Sequence, residues 1–395
     1  MSPRPSTPAK VYASEGAIVV HYDLDVAQAR LSRRSAVSLP ATVQAGWAHP
    51  GLPRLYIASS NATPFAAAPR DEHFLTALQA DSSGKLSQIG ESVRLGSRPV
   101  HMCLDRRGRH ALVAYNDPAN LTVHPIADDG SVGGALEQPA IALRKYPHQI
   151  KVSPADDLVV VCARGNDPTP TAPEDPGALH PFSYRDGRIR EALPLTAPNG
   201  GFGFGPRNLD FHPTLPVAYV ALERQNEVQA FGYGEHGFDP LPLSRATTLF
   251  GAQPVAKPMA GMVRAHPNGR FLYVANRTMG AITEDGRSNL ALGGDDIAVF
   301  AIDPSGGQLT PLQRIDSEGV MPRTFGFDPS GRLLVVANHV PVTAWDGGEP
   351  RHVPQSLMLY RIGDDGRLTR ARKYALSDAH ASMFWTDVVG VGEAA

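Results

Sequence analysis

The chain has 395 residues and a formal net charge of −2. This charge gives no basis for a nucleic-acid-binding surface or for attraction to an acidic membrane. No apolar run is long enough to span a bilayer, and the N-terminus lacks the apolar core and cleavage site of a secretory signal. We therefore expect a cytoplasmic protein whose partner is a small molecule rather than a nucleic acid or a membrane.

Six stretches of the chain share one pattern: an apolar-alternating strand, a turn of Pro, Gly or Asp, and a second strand that ends on polar residues. They are residues 46–60, 99–116, 147–164, 206–223, 261–277 and 322–339. Third strands rich in Val, Ile, Tyr and Phe are predicted at 18–22, 74–78, 228–231, 297–302 and 357–362. A period of roughly 50–60 residues is typical of propellers and solenoids.

The two ends of the chain supply a seventh unit. Residues 11–22 resemble the second and third strands of a repeat, and residues 382–385 form an apolar segment with no partner after it. Joined in one blade, they would close the ring and remove its exposed sheet edges. The sequence thus predicts an all-β, seven-bladed β-propeller, one domain over 1–395 with flexible ends at 1–10 and 386–395. The alternative is a six-bladed ring with disordered ends.

Four connections between second and third strands are long: 61–73, 167–178, 279–296 and 340–355. Long connections in a compact domain are commonly disordered or functional. The only two cysteines, Cys103 and Cys162, fall in different repeats and lack metal-ligand spacing, which predicts two buried free thiols.

Polar residues recur where each first strand begins and each second strand ends. A hairpin brings these two points together, so in every unit they should meet at one rim of the central channel. The first-strand residues are Gln44, Val100 with His101, His148, Arg207, Gly261 and Arg323; the second-strand residues are Ser60, Asn116, Arg164, Glu223, Arg277 and His339. One rim of a nearly neutral protein thus collects four arginines, several histidines and one glutamate, which indicates a binding pocket.

Structural roles remain open for several of these residues. An arginine such as Arg207 or Arg323 could tie blades together through backbone carbonyls, and Arg164 could simply pair with Glu223. Other histidines do not converge on the rim. His49, His212 and His266 recur at the far hairpin turn, which indicates turn packing, and His124, His180, His352 and His380 are expected on the surface.

At these residues the chain resembles the seven-bladed lactonase family, which includes bacterial 6-phosphogluconolactonase and fungal 3-carboxy-cis,cis-muconate lactonizing enzyme. The resemblance covers about residues 11–385, and its most specific parts are 205–207 with 211–213, Glu223, 271–277, 322–323 and 328–331. It implies catalytic roles for His148, Arg207, Glu223 and Arg277. Around them, Arg323, Arg164, His339, Asn116 and His101 are the candidate substrate-binding residues.

Three functions remain open from the sequence. The first is hydrolysis of an anionic sugar-acid lactone, with His148 as general base and arginines that hold the oxyanion or a carboxylate. The second is a cycloisomerase of the carboxymuconate type, and the third is a non-enzymatic binding scaffold. One carboxylate among several arginines disfavours a divalent cation, so we expect neither metal nor cofactor. A closed ring needs no partner for stability, and we expect a monomer.

Overall fold

The computed structural model describes residues 9–62, 70–197, 199–235, 237–251, 258–278, 281–284, 287–290, 294–346, 349–376 and 382–390. All regular structure in these residues is β-strand or turn. None of the described segments is a helix long and apolar enough to cross a membrane.

Seven antiparallel sheets form the body of the molecule. Blade 1 contains β1 (Ala9–Glu15), β2 (Ile18–Asp25), β3 (Arg30–Ser38) and, from the other end of the chain, β32 (Thr386–Gly390). Blade 2 contains β4 (Val43–Ala48), β5 (Arg54–Ser60), β6 (His73–Ala80) and β7 (Leu86–Arg94), and blade 3 contains β8 (Pro99–Leu104), β9 (His110–Asn116) and β10 (Ala119–Pro125). Blade 4 contains β11 (Pro147–Val152), β12 (Leu158–Ala163), β13 (Ala178–Arg185) and β14 (Arg188–Glu191).

The remaining three blades follow the same order. Blade 5 contains β15 (Pro206–Phe211), β16 (Val217–Leu222) and β17 (Glu227–Gly234), with β18 (Gly237–Phe238) and β19 (Ser244–Thr247) both paired to β17. Blade 6 contains β20 (Pro258–Ala265), β21 (Phe271–Thr278), β24 (Asp296–Ile302) and β25 (Leu309–Asp316). Blade 7 contains β26 (Pro322–Phe327), β27 (Leu333–Asn338), β30 (Ser356–Ile362) and β31 (Leu368–Ala375).

The core lies between the blades rather than inside one layer. Seven hydrophobic clusters are present, one at each contact between neighbouring blades, including the contact of blade 7 with blade 1. In β12, Leu158 and Val160 face blade 5 while Val159 and Val161 face blade 3. Successive side chains of a strand point to opposite faces, so a strand with both faces covered is apolar throughout. This confirms the seven-bladed propeller and excludes the six-bladed alternative.

The ring closes as predicted in principle but not at the predicted residues. The first strands β32, β4, β8, β11, β15, β20 and β26 contact one another in a closed circle, and β32 pairs antiparallel with β1. The closing strand, expected at 382–385, is Thr386–Gly390, inside the segment expected to be a flexible tail, and β1 takes in the last two residues of the expected N-terminal flexible segment. Met383, Phe384 and Trp385 are apolar because they are buried ahead of the strand, not because they pair in it.

Two of the four long connections contain hairpins of their own. β22 (Ala281–Glu284) pairs with β23 (Arg287–Leu290), and β28 (Val342–Asp346) pairs with β29 (Glu349–Val353). β23 contacts β28, so the hairpins of blades 6 and 7 lie side by side. In their described residues, the connections 61–73 and 167–178 hold no hairpin of their own.

Candidate active site

A β-bulge recurs in the first strand of six blades, at the second residue of the strand in five of them. The register between first and second strand slips by at least one residue at Gln44, Val100, His148, Arg207, Gly261 and Arg323. In four of these strands a proline, which cannot donate to the ladder, precedes the slipped residue. A bulge turns a side chain out of the alternating pattern, and these are the first-strand positions that the sequence predicted to line the channel.

Glu223 is the centre of the polar cluster. It follows β16 directly and is buried, 5% exposed. Its Oε2 lies 2.9 Å from Nη1 of Arg164, and its Oε1 lies 2.9 Å from Nε of Arg207 and accepts a hydrogen bond from Nη2 of Arg277. Burial works to raise the pKa of Glu223, but the charges of Arg277, Arg207 and Arg164 outweigh it and hold the pKa below its usual value. Glu223 is therefore a fixed carboxylate that holds three guanidinium groups together.

His148 stands beside this cluster without a hydrogen bond to it. The side chain lies deep in the ring yet keeps some exposure because it lines the central channel. Its Nδ1 is buried and has no hydrogen-bond partner among the described residues. Burial, then the charges of Arg207, Arg323, Arg277 and Arg164, lower the pKa of His148 well below that of a free imidazole. The ring is thus neutral at neutral pH. Because Nδ1 is buried, Nε2, which makes no hydrogen bond among the described residues, is the nitrogen that can face the channel.

Arg323 and His339 meet on one aromatic ring. The Arg323 guanidinium lies 4.5 Å from the centre of the Phe384 ring, and the His339 ring lies 4.4 Å from it. Neither side chain contacts Glu223, and burial followed by the charge of Arg323 lowers the pKa of His339. Arg323 lines the channel with His148, whereas His339 is only 2% exposed and packs behind the Phe384 ring.

Two of the predicted binding residues lie away from the Glu223 cluster. His101 lines the channel with His148 and has its ring 6.1 Å from Trp47, in an edge-on contact. Asn116 lines a separate pocket at the same rim, between blades 2 and 4. The nine predicted residues therefore divide into three groups: the Glu223 cluster with His148, the Phe384 contact, and these outlying positions.

Sequence reasoning missed several residues of the rim because they lie in connections. Tyr146 stacks against Arg164, with the guanidinium 4.4 Å from the ring centre, and Phe384 supports Arg323. Arg98 and Tyr146 come just before β8 and β11, one residue before the proline of each strand. Their shared position, directly before the proline that begins a first strand, is the sequence signal that could have identified Arg98 and Tyr146.

The histidines at the far hairpin turns are structural, as predicted. Nε2 of His212 donates to the carbonyl of Gly269 at 2.8 Å, and Nε2 of His266 donates to the carbonyl of Gly331 at 2.8 Å. Each bond joins one blade to the turn of the next blade. These side chains fix the spacing between blades at the end of the ring opposite to Glu223.

Comparison with known proteins is consistent with this architecture. The family model described as "Lactonase, 7-bladed beta-propeller" matches residues 8–341. The 6-phosphogluconolactonase of Bacillus subtilis (strain 168) is 28% identical over 278 residues, covering 67% of this chain and 70% of that protein. The 6-phosphogluconolactonase of Serratia proteamaculans (strain 568) is 26% identical over 301 residues, covering 76% and 78%. In fold, the periplasmic gluconolactonase of Pseudomonas aeruginosa superposes with a TM-score of 0.73 at 21% identity, covering 98% of this chain and 100% of that one.

Proposed function

The chain belongs to the seven-bladed β-propeller lactonase family, and from that premise we propose that it hydrolyses a small anionic sugar-acid lactone of the 6-phosphogluconolactone type. The observation that carries the proposal is the convergence of a neutral imidazole and four arginines around the carboxylate of Glu223, at one mouth of the channel. Relatives named 6-phosphogluconolactonase support the reaction class. The excess of guanidinium groups supports an anionic substrate.

In the proposed reaction His148 activates the attacking water. A neutral imidazole with a free nitrogen takes a proton from water as the oxygen attacks the lactone carbonyl carbon. Burial and the nearby arginine charges lower the pKa of His148 and so keep its imidazole in this base form. When an anionic substrate binds, its charge offsets the nearby arginines, so the pKa of His148 rises and the ring becomes a stronger base.

Arg207 and Arg277 hold the oxyanion that forms on the carbonyl oxygen. Both are bound to Glu223, which fixes the direction of their remaining N–H groups before the substrate arrives. Donors that are already oriented cost little reorganisation as charge develops. Glu223 acts in this proposal as a positioning residue; its three arginine partners keep it ionised, which argues against its use as the acid.

Collapse of the tetrahedral intermediate breaks the bond between the carbonyl carbon and the ring oxygen. The proton that His148 took from water passes to that ring oxygen, which leaves as a hydroxyl group. The products are one hydroxy acid and the regenerated neutral imidazole, so water and lactone are the only reactants. We propose no metal in this step, because the three arginines around Glu223 would repel a cation.

Turnover of a lactone panel by wild type and a His148→Ala variant tests the proposal. Glucono-, 6-phosphoglucono-, galactaro- and muconolactones are supplied at neutral pH, and acid release is followed with an indicator. Loss of a general base should lower kcat by about 10²–10⁴-fold. His49→Ala, at the far hairpin turn, is the matched control and should keep wild-type turnover. An unchanged rate in His148→Ala would remove His148 from the mechanism, and no turnover of any lactone by wild type would contradict the proposed function.

A further inference from the structure

Arg98 is a cation held by a neutral partner. Its Nε and Nη2 donate to the same Oε1 of Gln44 at 3.0 and 2.9 Å, and Gln44 in turn donates to the carbonyl of Thr42 at 3.2 Å. Gln44 is 4% exposed, so the bond fixes the guanidinium firmly. Within the described residues no carboxylate lies within ion-pair distance of Arg98, and its Nη1 makes no hydrogen bond.

Arg98 opens onto a pocket of about 560 Å³ beside the channel mouth. Donors and mixed polar groups surround it: Asn116 and Tyr146 on the side of blades 3 and 4, and His73, which is hydrogen-bonded to Ser60 at 2.9 Å, on the side of blade 2. The acidic residues of this pocket, Asp71 and Asp117, are both exposed. Water therefore screens their charge more than that of half-buried Arg98.

Tyr146 joins this pocket to the Glu223 cluster. Its ring stacks against Arg164 while its side chain also lines the pocket with Arg98. Tyr146 has a φ of 60°, a left-handed conformation that is uncommon for a bulky residue. Its carbonyl accepts from the backbone N–H of Arg164 at 3.0 Å, which helps to hold it there. Strain of this kind persists where the surroundings impose it and is concentrated at functional sites.

Among the described residues, the arginines of the rim carry more charge than Glu223 alone can balance. Arg164, Arg207 and Arg277 share Glu223, whereas Arg323 rests on an aromatic ring and Arg98 on an amide. Arg98 and Arg323 are near enough that the charge of Arg98, after burial and the charge of Arg277, helps to lower the pKa of Arg323 to about 9. Within the part of the chain that the structure describes, Arg98 and Arg323 have no carboxylate partner, and their place next to a three-arginine cluster suits a ligand with more than one negative charge.

We propose that Arg98, with Asn116 and Tyr146, forms a second anion-binding subsite that holds a negatively charged group of the substrate remote from its lactone ring. The inference rests on the proposed function, which makes the lactone ring the reacting end of the substrate. The ring would lie between His148 and the Arg207–Arg277 pair, and the remote group would lie toward Arg98, with Arg323 between them. The remote group is a phosphate or a second carboxylate, since a guanidinium binds both through paired N–H donors.

Equilibrium binding and turnover test the subsite separately. Binding of gluconate, glucarate and 6-phosphogluconate is measured by calorimetry at low ionic strength. Turnover of gluconolactone and 6-phosphogluconolactone is measured in parallel. The proteins are wild type, Arg98→Gln, Arg98→Lys and Arg107→Gln; the last removes an exposed arginine from the opposite end of the same blade. Melting temperatures establish that each variant is folded.

Arg98→Gln should weaken binding of the ligands with a remote anion, and lower kcat/KM for the phosphorylated lactone, by about 10–100-fold, the usual effect of losing a charge-assisted contact. Gluconate binding and kcat/KM for gluconolactone should fall much less than this, because neither molecule carries the remote anion. Arg98→Lys should retain part of the wild-type preference for ligands with a remote anion, and Arg107→Gln should retain all of that preference. The affinities of wild type for glucarate and for 6-phosphogluconate show whether the subsite prefers a carboxylate or a phosphate.

An equal loss for ligands with and without the remote anion in Arg98→Gln would overturn the subsite, as would a wild-type protein with no preference between them. If wild type hydrolyses no lactone, the proposed function fails, yet the binding measurements still decide the role of Arg98.

Discussion

Replacing Glu223 by Gln is expected to destabilise the protein strongly although the shape of the side chain is kept. The carboxylate is 5% exposed and compensates Arg164, Arg207 and Arg277. Removing one partner of a buried charge group costs about 3–5 kcal/mol of unfolding free energy, because the remaining charges stay buried without compensation. Here three like charges remain beside one another, so the expected loss lies at the upper end of that range.

The loss converts to a measurable change in melting temperature. An unfolding entropy of about 2.1 cal/mol/K per residue gives about 0.8 kcal/mol/K for a chain of 395 residues. A loss near 5 kcal/mol, the upper end of the range, then lowers Tm by about 6 °C in differential scanning calorimetry. Added phosphate should restore part of the loss, since an anion in the cluster replaces the missing charge.

Glu318→Gln is the matched control for this experiment. Glu318 lies 2.6 Å from Nε of Arg370, but both side chains are exposed. Such a surface pair contributes about 0–1 kcal/mol, so the control should lower Tm by about 1 °C or less. If Glu223→Gln melts no lower than Glu318→Gln, Glu223 does not compensate the arginines and its assigned role is wrong.

Two further results follow from the same structure. The acid limb of kcat/KM should lie below pH 6.5, because burial and four arginines lower the pKa of His148 and its neutral form survives until the pH falls through that value. The acid limb of the kcat profile should lie at higher pH, because bound substrate offsets the arginine charges and raises the pKa of His148. An acid limb of kcat/KM above pH 6.5 would contradict the assignment of His148 as the base. Tyr273→Phe removes the buried 2.7 Å bond from Tyr273 to the Gly366 carbonyl, which joins blades 6 and 7, and should lower the unfolding free energy by about 1–3 kcal/mol. Calorimetry that shows an unchanged Tm would mean that this inter-blade bond does not stabilise the ring.

Local regularity explains why the blades could be predicted. Strand pairs such as 261–277 and 322–339 carry a period-2 apolar pattern and a turn between them, and both features are encoded within a few residues. In four of the six repeats, the residue at the bulge position of the first strand is polar and stays in phase with the repeat. For this reason His148, Arg207 and Arg323 were correctly assigned to the channel.

Predictions were wrong where burial depends on distant parts of the chain. His124 and His180 were expected on the surface, yet both are 2% exposed. His124 bonds the carbonyl of Gly133 at 3.0 Å, and His180 accepts from the backbone N–H of Arg144 at 3.1 Å. The segment that follows blade 3 covers both, and nothing in the repeat indicated where that segment lies.

The sequence by itself determined the blade count and the rim to which polar residues belong, because strand alternation and hairpin geometry act over short distances. Only the tertiary structure decided which rim residues touch. It placed three arginines on Glu223, gave His148 no hydrogen bond among the described residues, and brought Arg98 from the residue before β8 into contact with Gln44. Such contacts depend on the angle at which seven blades converge on one axis, and that angle is set by packing between blades rather than by any local pattern.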